Sequence, residues 1–143
     1  MFAFTVNKDY KFVIDKHEAK KAGLHYDLRI LNNDKEVYSF ATKHELIFNS
    51  ENTKRSNKRL LLLQPIHSYD WIKVKDLYIG DGYGHGHIKT WDSGTITIKS
   101  LNKKNTVNFI ANGEHFKGNF LLIKYSDDES KYLLIKRKDD TTK

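Results

Sequence analysis

One short run of the sequence alternates apolar and polar side chains without a break: Leu24-His25-Tyr26-Asp27-Leu28-Arg29-Ile30. Successive side chains of a β-strand point to opposite faces, so the run predicts a strand with one apolar face and one polar face. The polar face carries His25, Asp27 and Arg29. Residues two positions apart in a strand lie roughly 6.5–7 Å apart, which lets His25 and Asp27 converge on one ion. Arg29, one step further on, can bind an anion held by that ion.

The polar face has two interpretations. An amphipathic strand with a solvated face is the more common one. The combination of His, Asp and Arg favours a binding site instead, and His17 lies shortly upstream. We predict a helical turn over Lys16–Ala22 that ends at Gly23 and folds the chain back, so that His17 joins His25 and Asp27. Two imidazoles and one carboxylate suit Mn²⁺, Fe²⁺ or Zn²⁺ with open coordination positions.

Short β-type runs continue on both sides of this strand. They are Phe2–Val6, Tyr10–Ile14, Val37–Thr42, Leu60–Leu63, Ile88–Trp91, Thr95–Lys99, Thr106–Ile110, Asn119–Lys124 and Tyr132–Lys136. Turn-forming residues separate many of them: Asn32-Asn33-Asp34, Asp92-Ser93-Gly94, Asn112-Gly113 and Asp127-Asp128. About ten short strands with little helix predict an all-β fold, a small closed or nearly closed β-barrel with one or two short helical turns.

Composition narrows the function classes. The 143 residues suit one domain over 1–143, and the absence of cysteine excludes disulfides, thiolate zinc sites and cysteine nucleophiles. The net charge of +7 favours a polyanionic partner, nucleic acid first. No apolar run approaches the roughly 20 residues of a membrane span, and the N-terminus lacks a secretory pattern. We therefore expect a cytoplasmic, intracellular protein with no membrane association.

Three further residues are candidates for a phosphate site. His67 follows the apolar run Leu60–Leu63 and can protonate a leaving group or contact a phosphate; a surface or structural histidine is the alternative. Lys43 and Arg59 flank the polar segment His44–Lys58, which we predict to be a mobile loop. Lys43 and Arg59 are either solvated cations or, together with Arg29, parts of a cationic phosphate clamp.

Other polar and aromatic features are less specific. The run from Gly80 to His87 is rich in glycine and histidine but lacks the Gly-Lys-Ser/Thr of a P-loop. It can bind metal, although we favour a bend between strands. Trp71 can stack on a base or belong to the core. We expect the tail after Arg137 to fray.

Several motifs together resemble the 3′-phosphoesterase domain of bacterial DNA ligase D and its stand-alone relatives. The similar segments occur in order over nearly the whole chain: Phe12–His17, Leu24–Arg29, Phe40–Lys43, Lys58–Leu60, His67–Trp71, Gly82–Gly86, Trp91–Thr95, Phe116–Gly118 and Leu133–Lys138. The early His…His-x-Asp-x-Arg cluster is the most specific part. The chain departs from the family pattern where Trp71 stands in place of a tyrosine and Asp15 in place of a glutamine.

The resemblance implies a β-barrel hydrolase that acts at DNA 3′ ends during end repair, including non-homologous end joining. It implies removal of a 3′-terminal ribonucleoside and then of the 3′-phosphate, leaving a 3′-hydroxyl, with a divalent metal, most often Mn²⁺. The metal ligands that it implies are His17, His25 and Asp27. The catalytic residues that it implies are the phosphate contacts Arg29, Lys43 and Arg59, with His67 as a further active-site residue.

The same resemblance sets the expected partners. These are DNA or RNA/DNA primer 3′ ends, together with a separate DNA ligase or end-joining proteins, and we expect a monomer. A non-catalytic nucleic-acid-binding β-barrel is the alternative function, since barrels of this size also bind oligonucleotides. A phosphoesterase that acts on RNA or a small nucleotide is a third possibility.

Overall fold

Ten β-strands and one 3₁₀ turn make up the regular structure of the described residues. The computed structural model describes residues 2–21, 23–33, 35–48, 57–80, 86–102, 104, 106–125 and 127–138. The strands are β1 Asp9–Ala19, β2 Gly23–Leu31, β3 Glu36–Thr42, β4 Lys58–Leu63, β5 His67–Ser68, β6 Asp76–Ile79, β7 Gly86–Leu101, β8 Val107–Gly113, β9 Lys117–Lys124 and β10 Lys131–Lys136. The 3₁₀ turn spans Tyr69–Ile72.

Eight of these strands close into an antiparallel barrel. Their order is β1-β2-β3-β4-β10-β9-β8-β7, and β1 pairs with β7 to complete the ring. Outside the ring, β6 pairs with the first residues of β7 and β5 pairs with β3. The predicted all-β closed barrel is confirmed, and the helix found within the described residues is one 3₁₀ turn. Closure gives every barrel strand two neighbours and so leaves no edge within the ring.

Aromatic and aliphatic side chains fill the barrel. Tyr26, Leu28 and Ile30 point inward from β2, as their alternation predicts. The segment predicted as a first strand, Phe2–Val6, is not one. The ring of Phe2 instead packs against the rings of Tyr38, Phe40 and Tyr132. The apolar residues of this segment favour a strand, but here Phe2 and Phe4 cover part of the core.

The predicted helical turn over Lys16–Ala22 is wrong. β1 continues without a break to Ala19, and a turn at Lys20-Lys21 leads into β2. The last residues of β1 pair with β2 on one side and with β7 on the other. Pairing on both sides satisfies the backbone donors and acceptors of this segment, which a single helical turn would not.

The predicted turn at Asp92-Ser93-Gly94 is also wrong, because β7 runs through it for 16 residues. The Asp92 carboxylate accepts hydrogen bonds from the backbone N–H of Ser93 and from those of residues 114, 115 and 116. A side chain at Gly94 would collide with the Asn112 carbonyl of the neighbouring strand. The aspartate and the glycine therefore hold β7 close to the neighbouring chain at this point, and the chain does not reverse direction.

Parts of five predictions lie outside the described residues: the loop over His44–Lys58 at 49–56, the Gly-rich run at 81–85, the tail at 139–143, the helical turn at 22 and the turn Asn32-Asn33-Asp34 at 34. The short strands β5 and β6 were not predicted. Within the described ranges, no helix has the length and apolar character that a membrane span requires.

Candidate metal centre and phosphate site

The pairing of β1 with β2 creates the polar site. His17 lies directly opposite His25, and Asp15 lies directly opposite Asp27. Opposed residues of an antiparallel pair project to the same face, and Arg29 joins them two residues beyond Asp27. Because Tyr26 and its apolar neighbours point into the barrel, this polar face is the outer surface of the barrel wall.

Three of these side chains form a group that could hold a metal ion. One potential ligand atom from each of His17, His25 and Asp27 lies within 4.8 Å of the others. The His25 Nε2 and Asp27 Oδ2 atoms are 3.2 Å apart. Ligand atoms that each lie about 2.1 Å from one ion are about 3–4 Å from each other, so the donor set fits a divalent cation after small side-chain adjustments. His17 and Asp27 are buried and His25 is partly exposed, which leaves one side open to a ligand.

The pKa of His25 is raised above 6.5. The main cause is its hydrogen bond with Asp27, which outweighs the opposite effect of burial. A proton on this imidazole competes with a metal ion, because only the neutral ring can coordinate.

Arg29 is a buried cation held by three different acceptors. Its Nε donates to Asp15 Oδ2 at 2.8 Å, its Nη1 to Ser39 Oγ at 3.0 Å and its Nη2 to Asp27 Oδ2 at 3.4 Å. Three of the five guanidinium N–H groups are thus engaged by described residues, and the orientation of the guanidinium plane is defined. Through Asp27, the position of Arg29 is linked to that of the candidate metal ligands.

Asp15 is the centre of a second group of buried charges. It is fully buried, and it accepts hydrogen bonds from Lys75 Nζ at 2.7 Å and Thr90 Oγ1 at 2.8 Å as well as from Arg29. Burial lowers the pKa of Lys75, although its hydrogen bond with Asp15 acts in the opposite direction. Two cations and a hydroxyl satisfy a carboxylate that would be very costly to bury alone.

Neither Asp15 nor Lys75 is among the site residues that the sequence predicts, although Asp15 stands at a position where the chain departs from the family pattern. Asp15 lies two residues before His17 on one strand, and the strand period would have found it had Lys16–Ala22 been predicted as a strand. Lys75 lies 60 residues from Asp15, so no local pattern could have linked the two.

The 3₁₀ turn covers this polar face. The ring of Trp71 lies against the Arg29 guanidinium, with 4.7 Å between Cζ and the ring centroid, and 5.4 Å from the imidazole of His67. The buried Nδ1 atom of His67 has no hydrogen-bond partner among the described residues. Burial lowers the pKa of His67, and the positive charge of Arg29 lowers it further. A neutral imidazole therefore lies beside a fixed cation, with a buried nitrogen atom that a ligand could satisfy.

Most of the chain matches the model of a known domain family. A family model described as the DNA ligase D 3′-phosphoesterase domain matches residues 15–124. The chain belongs to this family. The matched range begins at Asp15 and includes every side chain of the polar face described above. No curated protein matches the chain significantly.

The two remaining predicted site residues of this 3′-phosphoesterase family member are Lys43 and Arg59. Lys43 is exposed at the edge of a groove that His25 also lines. Arg59 donates to the carbonyl oxygens of Glu45 and Ile47, and its guanidinium lies over the ring of Phe48. The structure thus groups the three candidate metal ligands with Arg29 and His67. Phosphate contacts by Lys43 and Arg59 stay predictions.

Proposed function

We propose that the chain is a metal-dependent phosphoesterase that processes DNA 3′ ends in end repair, including non-homologous end joining. It removes 3′-terminal ribonucleosides and 3′-phosphates and leaves a 3′-hydroxyl. Family membership supports hydrolysis of phosphoester bonds. The observation that carries the proposal is the grouping of three metal-binding side chains with a fixed guanidinium and a buried imidazole nitrogen.

His17, His25 and Asp27 would hold the cofactor, for which we propose Mn²⁺. Imidazole and carboxylate ligands suit this ion, and the chain has no cysteine that would favour a softer metal. When bound, the ion supplies positive charge that offsets the negative charge of the phosphoryl oxygens.

The protein side chains supply the remaining electrostatic and proton-transfer groups. Arg29 donates N–H groups to a phosphoryl oxygen from a position that does not have to reorganise during the reaction. His67 is neutral at neutral pH because its pKa is lowered, so it can donate its N–H or accept a proton. The negative charge of an arriving phosphate raises the pKa of His67 and so favours its protonated form, which can donate a proton to the departing 3′ oxygen of the monoester step.

The substrate is a nucleic acid 3′ end, either DNA or an RNA/DNA primer. The net charge of +7 supports a polyanionic substrate. We propose that the chain acts as a cytoplasmic monomer and that a separate DNA ligase or end-joining proteins use the 3′-hydroxyl that it exposes.

The test is incubation of a DNA primer bearing a 3′-phosphate with the purified chain and Mn²⁺, with and without a chelator. We expect phosphate release only when metal is present. Asp27→Ala should abolish turnover and metal binding, whereas Asp70→Asn, an exposed carboxylate on the 3₁₀ turn, should behave as wild type. Tight primer binding without turnover by the wild-type chain would instead support the non-catalytic nucleic-acid-binding barrel.

A further inference from the structure

An apolar groove of about 560 Å³ opens directly beside the candidate metal centre. His25, a predicted metal ligand, forms part of its wall, and Leu60 and Leu62 of β4 form another part. Ala41 on β3 lies between β2 and β4. It pairs with Asp27 of β2 on one side and with Leu62 of β4 on the other. The small side chain of Ala41 therefore leaves space between the metal ligands and β4.

The two leucines present adjacent apolar surface to this space. They are two residues apart on β4 and so project from the same face of the strand, with side chains 47% and 39% exposed. Leu61 between them is fully buried in the barrel. A single exposed leucine is ordinary, whereas two that are adjacent and border a polar site form a small apolar patch beside it.

The surroundings of the predicted metal ligands differ at the two ends of the polar face that β1 and β2 form. The groove lies at the His25 end of β2, where the exposed Lys43 also lines it. The cations Arg29 and Lys75, which are both bonded to Asp15, and the imidazole of His67 lie toward the other end. A substrate 3′ end is also asymmetric about the phosphate to be cleaved. The retained strand carries a phosphate on each nucleotide, and the terminal nucleoside beyond the cleaved bond carries none.

We infer that the groove binds the uncharged terminal nucleoside that leaves in the phosphodiester step, with its sugar and base against Leu60, Leu62 and Ala41. This inference rests on the proposed function, because it places the cleaved phosphate at the metal centre. Hydrolysis adds water across the bond between phosphorus and the 5′ oxygen of that nucleoside. The strand keeps a 3′-phosphate, and the nucleoside leaves with a 5′-hydroxyl.

The two steps of the proposed reaction therefore differ in their use of the groove. A strand that ends in a 3′-phosphate has no nucleoside beyond that phosphate, so its hydrolysis does not involve the leucines. Removal of the leucine side chains should impair the diester step alone.

The experiment compares wild type with Leu60→Ala/Leu62→Ala on two primers, one ending in two ribonucleotides and one ending in a 3′-phosphate. We expect kcat/KM for the ribonucleotide primer to fall about tenfold, the size of effect that loss of apolar contacts to a substrate produces. Hydrolysis of the 3′-phosphate should be unchanged. Val6→Ala, an aliphatic residue of similar exposure (44%) before the start of β1, is the matched control and should leave both activities unchanged.

Fluorescence anisotropy in chelator adds a measurement that does not depend on turnover. The double variant should lose affinity for the ribonucleotide primer and keep its affinity for the 3′-phosphate primer. Equal losses on both primers with an unchanged melting temperature would overturn the inference, since the groove would then hold the retained strand. No change on either primer would overturn it as well. A wild-type chain inactive on both primers would overturn the proposed function and this inference together.

Discussion

Arg29 shows most clearly how single residues define the site. A buried guanidinium is tolerated because Asp15, Asp27 and Ser39 each accept one of its N–H groups and Trp71 covers its face. The acceptors lie in different directions, which only a planar group with several donors can match. The chemical role and the structural role of this residue therefore depend on the same geometry.

We expect Arg29→Lys to reduce turnover at saturating DNA by about 10²-fold, typical for loss of one donor that stabilises a transition state. Lysine keeps the charge, but one ammonium cannot supply all three acceptors. Stability should fall by about 1–3 kcal/mol because buried acceptors lose their donors. Arg137→Lys, the same change at an exposed position, is the control. Wild-type turnover by the Arg29 variant would place the phosphate contact elsewhere.

The His25–Asp27 pair predicts that metal affinity depends on pH. The raised pKa of His25 means that the metal-free fold is stabilised by the protonated form; this stabilisation is complete below pH 6.5 and is lost as the pH rises through the raised pKa. Metal binding needs the neutral ring and has the opposite dependence. We expect Mn²⁺ affinity to weaken about tenfold for each pH unit below that pKa.

Calorimetric titration with Mn²⁺ across this pH range measures the effect, and proton release on binding should accompany it. His44→Gln changes an exposed histidine and should leave the profile unaltered. An affinity independent of pH on the acidic side would mean that His25 does not coordinate the ion.

At the scale of the elements, long strands set the position of the site. β1 carries Asp15 and His17 because it extends to Ala19 and pairs with both β2 and β7. β7 in turn is connected by the Asp92 carboxylate to the turn between β8 and β9.

Asp92→Asn tests this connection. Each carboxylate oxygen accepts two backbone N–H groups, and an amide would turn one of those acceptors into a donor. We expect the free energy of unfolding to fall by about 2–4 kcal/mol in urea titrations. Metal bound per folded chain should be unchanged, and Asp70→Asn should cost little. An unaltered unfolding midpoint would show that the turn does not depend on this carboxylate.

For the whole molecule, the excess of Lys and Arg over Asp and Glu, 25 to 18, predicts diffuse attraction for DNA in addition to the specific site. Lys136 and Lys138 lie at the end of β10 and just beyond it, and their side chains are partly or fully exposed. Their attraction to phosphates is screened over about 8–10 Å at ordinary ionic strength.

Lys136→Gln/Lys138→Gln should weaken DNA binding mainly at low salt. The slope of log affinity against log salt should decrease by up to about 2, measured by anisotropy between about 50 and 200 mM salt. Turnover at saturating DNA should stay at the wild-type value, in contrast to Arg29→Lys. Loss of turnover in the tail variant with normal turnover in the Arg29 variant would reverse the assignment of the two regions.

The sequence alone determined the polar face of β2, the all-β barrel and the family. His25, Asp27 and Arg29 lie on one face because alternation along a strand is a local property of the backbone. The many short apolar segments likewise require a fold in which the strands pack around a common core. The polar face of β2 depends only on residues that are close in the chain.

Only the tertiary structure decided which residues complete the site. His17 reaches His25 across a strand pair and not through a helical turn, because the register of β1 depends on β2 and β7 together. Lys75 and Trp71 come from a segment far along the chain, and they lie over Asp15 and Arg29 because the 3₁₀ turn packs on the barrel wall. Long-range pairing and burial decide which strands are neighbours and where a turn packs. The local spacing of residues does not encode them.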